Sequence, residues 1–155
     1  AIRYPRGSFF ECSQFESVPF EYGKAQLLKE AKGDILLLGY GNGVGKAVET
    51  SLVLKDQGID VAIVDLRFIK PLDEELLMTL AQRYKRWYVF SESAKIGGVA
   101  SLLALFKEQN NLHVKIESFE YDDAFITHGA TPLIEEQLGL SVKQLAERIC
   151  NNSIN

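Results

Sequence analysis

The chain has 155 residues, of which 46% are hydrophobic and 25% charged, and its formal net charge is -4. This length and composition are typical of a single soluble globular domain and exclude a disordered or low-complexity chain. No apolar run approaches the ~20 residues that a membrane-spanning helix needs. The 17 basic residues are outnumbered by 21 acidic ones, and this charge balance argues against a nucleic-acid partner, because phosphates are bound by concentrated positive charge.

The start of the chain indicates a longer polypeptide, and the number of cysteines indicates the redox state of its compartment. The sequence begins at Ala1 without methionine or a secretory signal pattern, so we expect it to be part of a longer polypeptide. Cys12 and Cys150 are too few and too far apart for a disulfide framework or a metal-binding cysteine pair. We therefore expect free thiols in a reducing compartment.

From about residue 34 onward, short aliphatic runs alternate with segments of helical period, which predicts strands connected by helices. Residues 1–33 lack this period and predict an extended arm, with one antiparallel edge strand over Tyr22 to Leu28. Residues 34–155 are predicted to form a three-layer α/β domain with a mostly parallel sheet. Strands are predicted at 35–38, 61–64, 87–90 and 114–119, and helices near 44–58, 73–84, 99–106, 131–139 and 141–149.

Local signals mark where several of these helices begin. Asp73 is predicted to cap the second helix and Thr131 the fourth, since both are favourable N-cap residue types. Ser141 followed by Gln144 indicates a capping box at the start of the fifth helix. The period of the first helix places Leu52 on its apolar stripe.

The glycine-rich stretch Gly39–Lys46 lies between a predicted strand and a predicted helix, where dinucleotide folds bind pyrophosphate. Its spacing matches neither the G-x-G-x-x-G fingerprint nor a P-loop, because other residues stand at the third glycine and Ala47 follows Lys46. We therefore favour a tight turn with positive φ at several glycines. A free-standing nucleotide-binding or regulatory module built on this stretch is the alternative.

Charged residues follow the predicted strand ends. Asp65 and Arg67 stand where open α/β sheets place ligands, but they can also pair with one another. Glu92 ends a strand without an identified partner carboxylate, so general acid-base chemistry is not assigned to it. The acidic run 117–123 is interpreted as a strand leaving the core into a solvated turn. His128 has no metal-ligand spacing and is predicted to be structural, and we assign no catalytic, cofactor-binding or metal-binding residue.

The opening Arg3-Tyr4-Pro5-Arg6-Gly7 places two guanidinium groups around a rigid proline. Because an arginine fork binds phosphate oxygens through two hydrogen bonds, a phosphate-bearing ligand is chemically plausible here. From spacing alone, two solvated arginines are the alternative.

Four motifs together resemble the 1-deoxy-D-xylulose-5-phosphate synthase family, within the transketolases. In chain order they are RYPRG at 3–7, Gly39-Tyr40-Gly41, VDLRFIKPLD at 64–73 and Phe125-Ile126-Thr127-His128-Gly129. VDLRFIKPLD alone indicates only the wider group of C-terminal domains of transketolases and pyruvate dehydrogenases. The addition of RYPRG narrows the resemblance to the synthase family. The similarity extends to about Cys150.

The resemblance implies that residues 1–33 are the end of a preceding domain and a linker. It implies that residues 34–155 are the transketolase C-terminal-like domain of a homodimeric, cytoplasmic transferase. Members of the family condense pyruvate with glyceraldehyde 3-phosphate, with loss of carbon dioxide, and so supply precursors of isoprenoids, thiamine and pyridoxal phosphate. They use thiamine diphosphate and Mg²⁺, which two preceding domains bind, so the resemblance implies an inactive fragment that contributes scaffold and dimer contacts. Arg6 matches an arginine that helps to hold the substrate phosphate, and Arg3 matches a possible supporting one. An interaction domain of a related dehydrogenase complex is a further alternative.

Overall fold

The computed structural model describes residue 10 and residues 12 to 154, the last two as backbone only. The strands are β1 Gln26–Lys29, β2 Ile35–Gly39, β3 Ala62–Asp65, β4 Arg86–Ala94 and β5 Lys115–Tyr121. The helices are α1 Asn42–Asp56, α2 Glu74–Arg83, α3 Val99–Gln109, α4 Thr131–Gln137 and α5 Val142–Ile154. In this described part, no helix has the length and apolar character needed to cross a membrane.

The five strands form one sheet in the order β1-β3-β2-β4-β5. β1 is antiparallel to β3, and the other three pairs are parallel. Helices cover both faces of the sheet, with α2 and α3 on one side and α1 and α5 on the other. The predicted α/β fold, with a mostly parallel sheet and one antiparallel edge strand, is therefore confirmed.

The central strand β2 is apolar throughout because it is covered on both faces. Leu36 and Leu38 pack in the core layer that contains α2 and α3, whereas Ile35 and Leu37 pack against α1 and α5. All four side chains are at most 2% exposed. The alternation follows from the period of two residues along a strand, which sends successive side chains to opposite faces.

The helix starts follow the predicted local signals with one exception. Asp73 caps α2 by accepting a hydrogen bond at 3.2 Å from an amide of the first turn. At α5, the side-chain oxygen of Gln144 accepts from the Ser141 amide, which is one half of the predicted capping box. The prediction for Thr131 is wrong, because Ala130 holds the cap position of α4.

The buried face of α1 includes Val48 as predicted, but it leaves out Leu52 of the same predicted stripe. Leu52 is 50% exposed, whereas Thr50 and Ser51 are buried. Their hydroxyls donate to the carbonyls of Lys46 and Val48 at 2.8 and 2.7 Å, respectively. A hydroxyl side chain can face the core when it finds a backbone acceptor in its own helix, and hydrophobic periodicity does not register this.

The amino ends of β2 and β4 are joined by an ion pair between Asp34 and Arg86. The guanidinium Nη2 lies 2.6 Å from Oδ1 and Nε lies 3.1 Å from Oδ2. This hydrogen bonding is the main reason that the pKa of Asp34 lies below its ordinary value of 3.8. A carboxylate with a depressed folded-state pKa gives stability that is present above the unfolded-state pKa and lost as pH falls through the folded-state value.

We therefore expect the free energy of unfolding to decrease as the pH is lowered below about 4. Asp34→Asn should make this dependence of the free energy of unfolding on pH less steep. The effect is small, because the Asp34 side chain is 44% exposed. Urea unfolding followed by circular dichroism between about pH 3 and pH 6 measures the slope. Asp56→Asn, at the exposed end of α1, is the matched control, and equal slopes for both variants would contradict the prediction.

Candidate functional site at the carboxyl edge of the sheet

A crevice opens between the carboxyl ends of β2 and β4. The connection after β2 leads to β3 on one side, whereas the connection after β4 leads to β5 on the other. In open α/β sheets, ligands bind at this kind of topological switch point. The crevice holds a cavity of about 320 Å³, and the lining includes Asn42, Lys46, Glu92 and Glu135. We call this cavity the switch-point crevice.

Glycines beside the crevice allow the backbone of α1 to approach the sheet closely. A Cβ atom on Gly43 would lie 2.5 Å from the carbonyl carbon of Phe90, and one on Gly39 would lie 2.6 Å from Cα of Val44. Within this loop, all of which the structure describes, only Gly41 has a positive φ, at 57°. The prediction of positive φ at several glycines is therefore wrong, and close packing explains the others.

Glu92 is exposed at the wall of the crevice, where the register of β4 against β5 shifts. Its carboxylate oxygens accept hydrogen bonds from Nδ2 of Asn42 at 3.2 and 3.3 Å. Because Asn42 is the first residue of α1, the carboxylate lies beside that helix start, where negative charge is favourable. Glu92 therefore places a negative charge beside the helix start at which a phosphate group would otherwise be attracted.

Behind the crevice, α3 begins on a buried carboxylate. Glu120 is 1% exposed and accepts hydrogen bonds from the amides of Val99 at 2.9 Å and Ala100 at 3.2 Å. Three serine hydroxyls, those of Ser91, Ser93 and Ser118, donate to the same carboxylate at 2.8, 2.6 and 2.8 Å. The interpretation of this run as a solvated turn is wrong for Glu120, because five donors take the place of water around it.

The three helices that connect parallel strands thus begin beside carboxylates of the chain itself. Glu92 lies at α1, Asp73 caps α2, and Glu120 receives the first amides of α3. Helix starts attract phosphate groups only while their amides and their field are free to act on a ligand. This arrangement disfavours the alternative of a nucleotide-binding module.

Helix α4 has no buried residue and is held beside the crevice by polar contacts. Glu135 pairs with Lys46 of α1 and accepts a hydrogen bond from the Tyr121 hydroxyl at 3.4 Å. Burial, and then the nearby carboxylates of Glu135 and Glu92, raises the pKa of Tyr121 to about 12. The tyrosine therefore stays neutral at physiological pH and acts there as a hydrogen-bond donor.

The described part of the N-terminal arm contacts this edge of the sheet. Phe10 lies against α1, where a Cβ atom on Gly45 would come within 2.7 Å of it. The Cys12 thiol is free, and its pKa is raised by burial and then by the charge of Asp65. Cys150 is likewise a free thiol.

The residues singled out from the sequence are only partly brought together. Arg3 and Arg6 lie outside the described residues. Asp65 and Arg67 pair at the end of β3, as predicted, with Nε 3.6 Å from Oδ2. His128 is exposed on the loop between β5 and α4, and it does not line the switch-point crevice.

Residues 23–145 match the family of transketolase C-terminal domains, and the chain belongs to that family. Its fold is similar to that of a split-gene transketolase in an inactive β4 tetramer. The TM-score is 0.76 at 27% identity, over 86% of this chain and 43% of that chain. A transketolase variant from Pichia stipitis shares the fold, with a TM-score of 0.61 at 20% identity over 83% of this chain and 18% of that chain.

In sequence, the chain is most informatively compared with proteins named 1-deoxy-D-xylulose-5-phosphate synthase. It is 54% identical over 150 residues to the synthase of Sulfurimonas denitrificans, covering 96% of this chain and 24% of the relative. It is 47% identical over 155 residues to that of Campylobacter hominis, covering 98% and 25%. The resemblance seen in the motifs is confirmed, and the chain spans about a quarter of the length of these curated relatives.

Proposed function

We propose that this chain acts as the C-terminal part of a 1-deoxy-D-xylulose-5-phosphate synthase, which condenses pyruvate with glyceraldehyde 3-phosphate and releases carbon dioxide. The observation that carries the proposal is the 54% identity to a named synthase over 96% of the chain. The proposal includes a homodimer in the cytoplasm and a domain boundary near residue 33. In the complete enzyme, thiamine diphosphate with Mg²⁺ would supply the carbanion chemistry, and protein groups would orient the substrates.

The described residues do not fit that cofactor. The starts of α1, α2 and α3 lie against carboxylates, which would repel a diphosphate. Within residues 10 and 12–154, no group of three or more His, Cys, Asp or Glu side chains could hold a metal ion. We therefore propose that the cofactor belongs to the thiamine-binding domains that precede this one in the complete enzyme.

The role proposed for this chain is to support the assembly and to supply an arginine for the substrate phosphate. The loop before α4, α4 itself and the residue that follows it expose large apolar side chains, which typically mark contact surfaces. They are Phe125, Ile126, Leu133 and Leu138. We propose that the preceding domains or the dimer partner cover them. The similar split-gene transketolase is inactive as a β4 tetramer, which supports our expectation that this chain alone is inactive.

Purified alone and supplied with pyruvate, glyceraldehyde 3-phosphate, thiamine diphosphate and Mg²⁺, the chain is expected to form no 1-deoxy-D-xylulose 5-phosphate. Product detection by mass spectrometry provides the measurement, and the complete synthase is the positive control. Product formed by the chain alone would contradict the proposal that other domains hold the cofactor.

Arg6→Ala in the complete synthase is expected to raise KM for glyceraldehyde 3-phosphate about tenfold or more. The lost charge-assisted contact to phosphate is worth ~1.5–3 kcal/mol, and pyruvate carries no phosphate. Steady-state kinetics with each substrate varied in turn provides the measurement. Arg3→Ala, at the position assigned only a supporting role, is the matched control. An equal rise of both KM values would count against the phosphate role of Arg6.

A further inference from the structure

Arg67 combines an unusual backbone conformation with a buried charged side chain. Its φ of 53° lies in the left-handed region, which residues other than glycine rarely adopt. Its side chain is only 8% exposed, although Arg67 follows the carboxyl end of β3. A conformation of this kind persists when surrounding contacts determine it, so the contacts of Arg67 are informative.

The guanidinium of Arg67 donates hydrogen bonds to backbone carbonyls of the N-terminal arm. Nη1 donates to the carbonyl of Pro19 at 3.2 Å, and Nη2 donates to that of Val18 at 3.1 Å. The guanidinium carbon lies 4.6 Å from the centre of the Phe20 ring, within the range of a cation–π contact. Three successive residues of the arm are thus held by one side chain that lies nearly 50 positions further along the sequence.

Two neighbours orient this side chain. Asp65 accepts from the Arg67 amide at 3.0 Å, and its other oxygen lies 3.6 Å from Nε, which has no hydrogen-bond partner among the described residues. Gln26 accepts from Nη2 through its side-chain oxygen and donates through Nε2 to the Glu16 carbonyl at 3.0 Å. The side chains of Arg67 and Gln26 together attach residues 16–20 to the ends of β1 and β3.

We propose that Arg67 is a positioning residue, which clamps residues 16–20 to the carboxyl edge of the sheet and so anchors the segment that follows Arg6 in the sequence. The inference rests on the proposed function in one respect, since Arg6 is taken as the phosphate-binding arginine. The clamp grips backbone carbonyls and one ring face. Its effect on the reaction is therefore indirect, through the position of another arginine on the same arm.

Arg67→Gly in the complete synthase separates the clamp from the backbone strain. Glycine adopts positive φ freely, so the variant removes the guanidinium while it relaxes residue 67. Arg67→Lys keeps the charge but lacks the planar fork that reaches two carbonyls. Arg148→Ala is the matched control, because Arg148 also pairs with a carboxylate and stacks at 4.6 Å on a phenylalanine, away from the arm.

We expect hydrogen exchange in a peptide covering residues 12–25 to be about tenfold faster in Arg67→Gly, with exchange in β4 unchanged. KM for glyceraldehyde 3-phosphate should rise about tenfold, while kcat and KM for pyruvate stay within about twofold. Arg67→Lys should fall between the parent and the glycine variant in both measurements. Arg148→Ala should change neither the exchange of that peptide nor the KM values.

Unchanged exchange in residues 12–25 of both Arg67 variants would overturn the clamp, whatever the enzyme does. Faster exchange that extends equally to β4 would show a general structural role and would also overturn it. Faster exchange with an unchanged KM for glyceraldehyde 3-phosphate would overturn the positioning role, while Arg6→Ala would test the proposed function separately.

Discussion

Replacing Glu120 with alanine is expected to lower the free energy of unfolding of the chain by about 3 kcal/mol. The carboxylate is buried at the start of α3, and its loss leaves two backbone amides and three serine hydroxyls without their acceptor. Glu120→Gln should cost less, about 1–2 kcal/mol, since the amide keeps one acceptor oxygen and the shape but loses the charge that favours the helix start. Urea unfolding followed by circular dichroism measures all these values.

A control and a rescue variant make this prediction specific. Glu92→Gln removes an exposed carboxylate from the same edge and should change stability by no more than about 0.5 kcal/mol. The Ser91 hydroxyl lies 2.8 Å from Oε1 of Glu120, so a glutamate at position 91 can bring a carboxylate to nearly the same place. Ser91→Glu in the Glu120→Ala background should therefore restore at least about half of the lost stability. If Glu120→Ala proved no more costly than the control, the carboxylate would not organise α3.

Gly43→Ala is expected to lower the free energy of unfolding by about 3 kcal/mol or more. Helix propensity alone predicts the opposite, a gain of about 1 kcal/mol, because alanine is the better helix former. The added methyl group would lie 2.5 Å from the carbonyl carbon of Phe90, which belongs to the backbone of a central strand. A strand paired on both sides cannot move away alone, so α1 must shift from the sheet.

Gly41→Ala provides the comparison for this clash. A Cβ atom there would meet nothing within 4 Å, but the backbone has a φ of 57°. The expected cost is about 1–2 kcal/mol, from backbone strain alone. Equal costs for the two variants in thermal or urea unfolding would mean that close packing at Gly43 adds nothing.

Most of the fold could be predicted from periodicity. The aliphatic runs at Ile35 and Val61 indicate strands covered on both faces, and the segments between them have the spacing of helices. The cap at Asp73 follows from local chemistry, since aspartate is a favourable N-cap residue. The errors at Leu52 and Thr131 concern details that tertiary packing decides after the elements have formed.

The buried carboxylate was missed because an acidic run suggests solvent. A readable signal existed, since the period of two along β5 puts Glu120 on the same face as Ile116 and Ser118. Ser91 and Ser93 repeat that period on the neighbouring strand. Recognising that small hydroxyl residues surround a single acid on one face would have predicted the network.

The clamp at Arg67 could not have been predicted in this way. Its acceptors are the carbonyls of Val18 and Pro19, and a carbonyl is present at every residue of the chain. The side chains of Val18 and Pro19 therefore carry no sequence signal for these two hydrogen bonds. Only the three-dimensional course of the chain brings these groups together.

The carboxylates at the three helix starts have a consequence for selectivity. An open parallel sheet ordinarily offers attractive docking points to any nucleotide or sugar phosphate in its surroundings. Here those points carry built-in negative charge at Glu92, Asp73 and Glu120. A phosphate group that approaches any of these three helix starts would therefore meet a carboxylate of the chain itself, so these points disfavour phosphate binding.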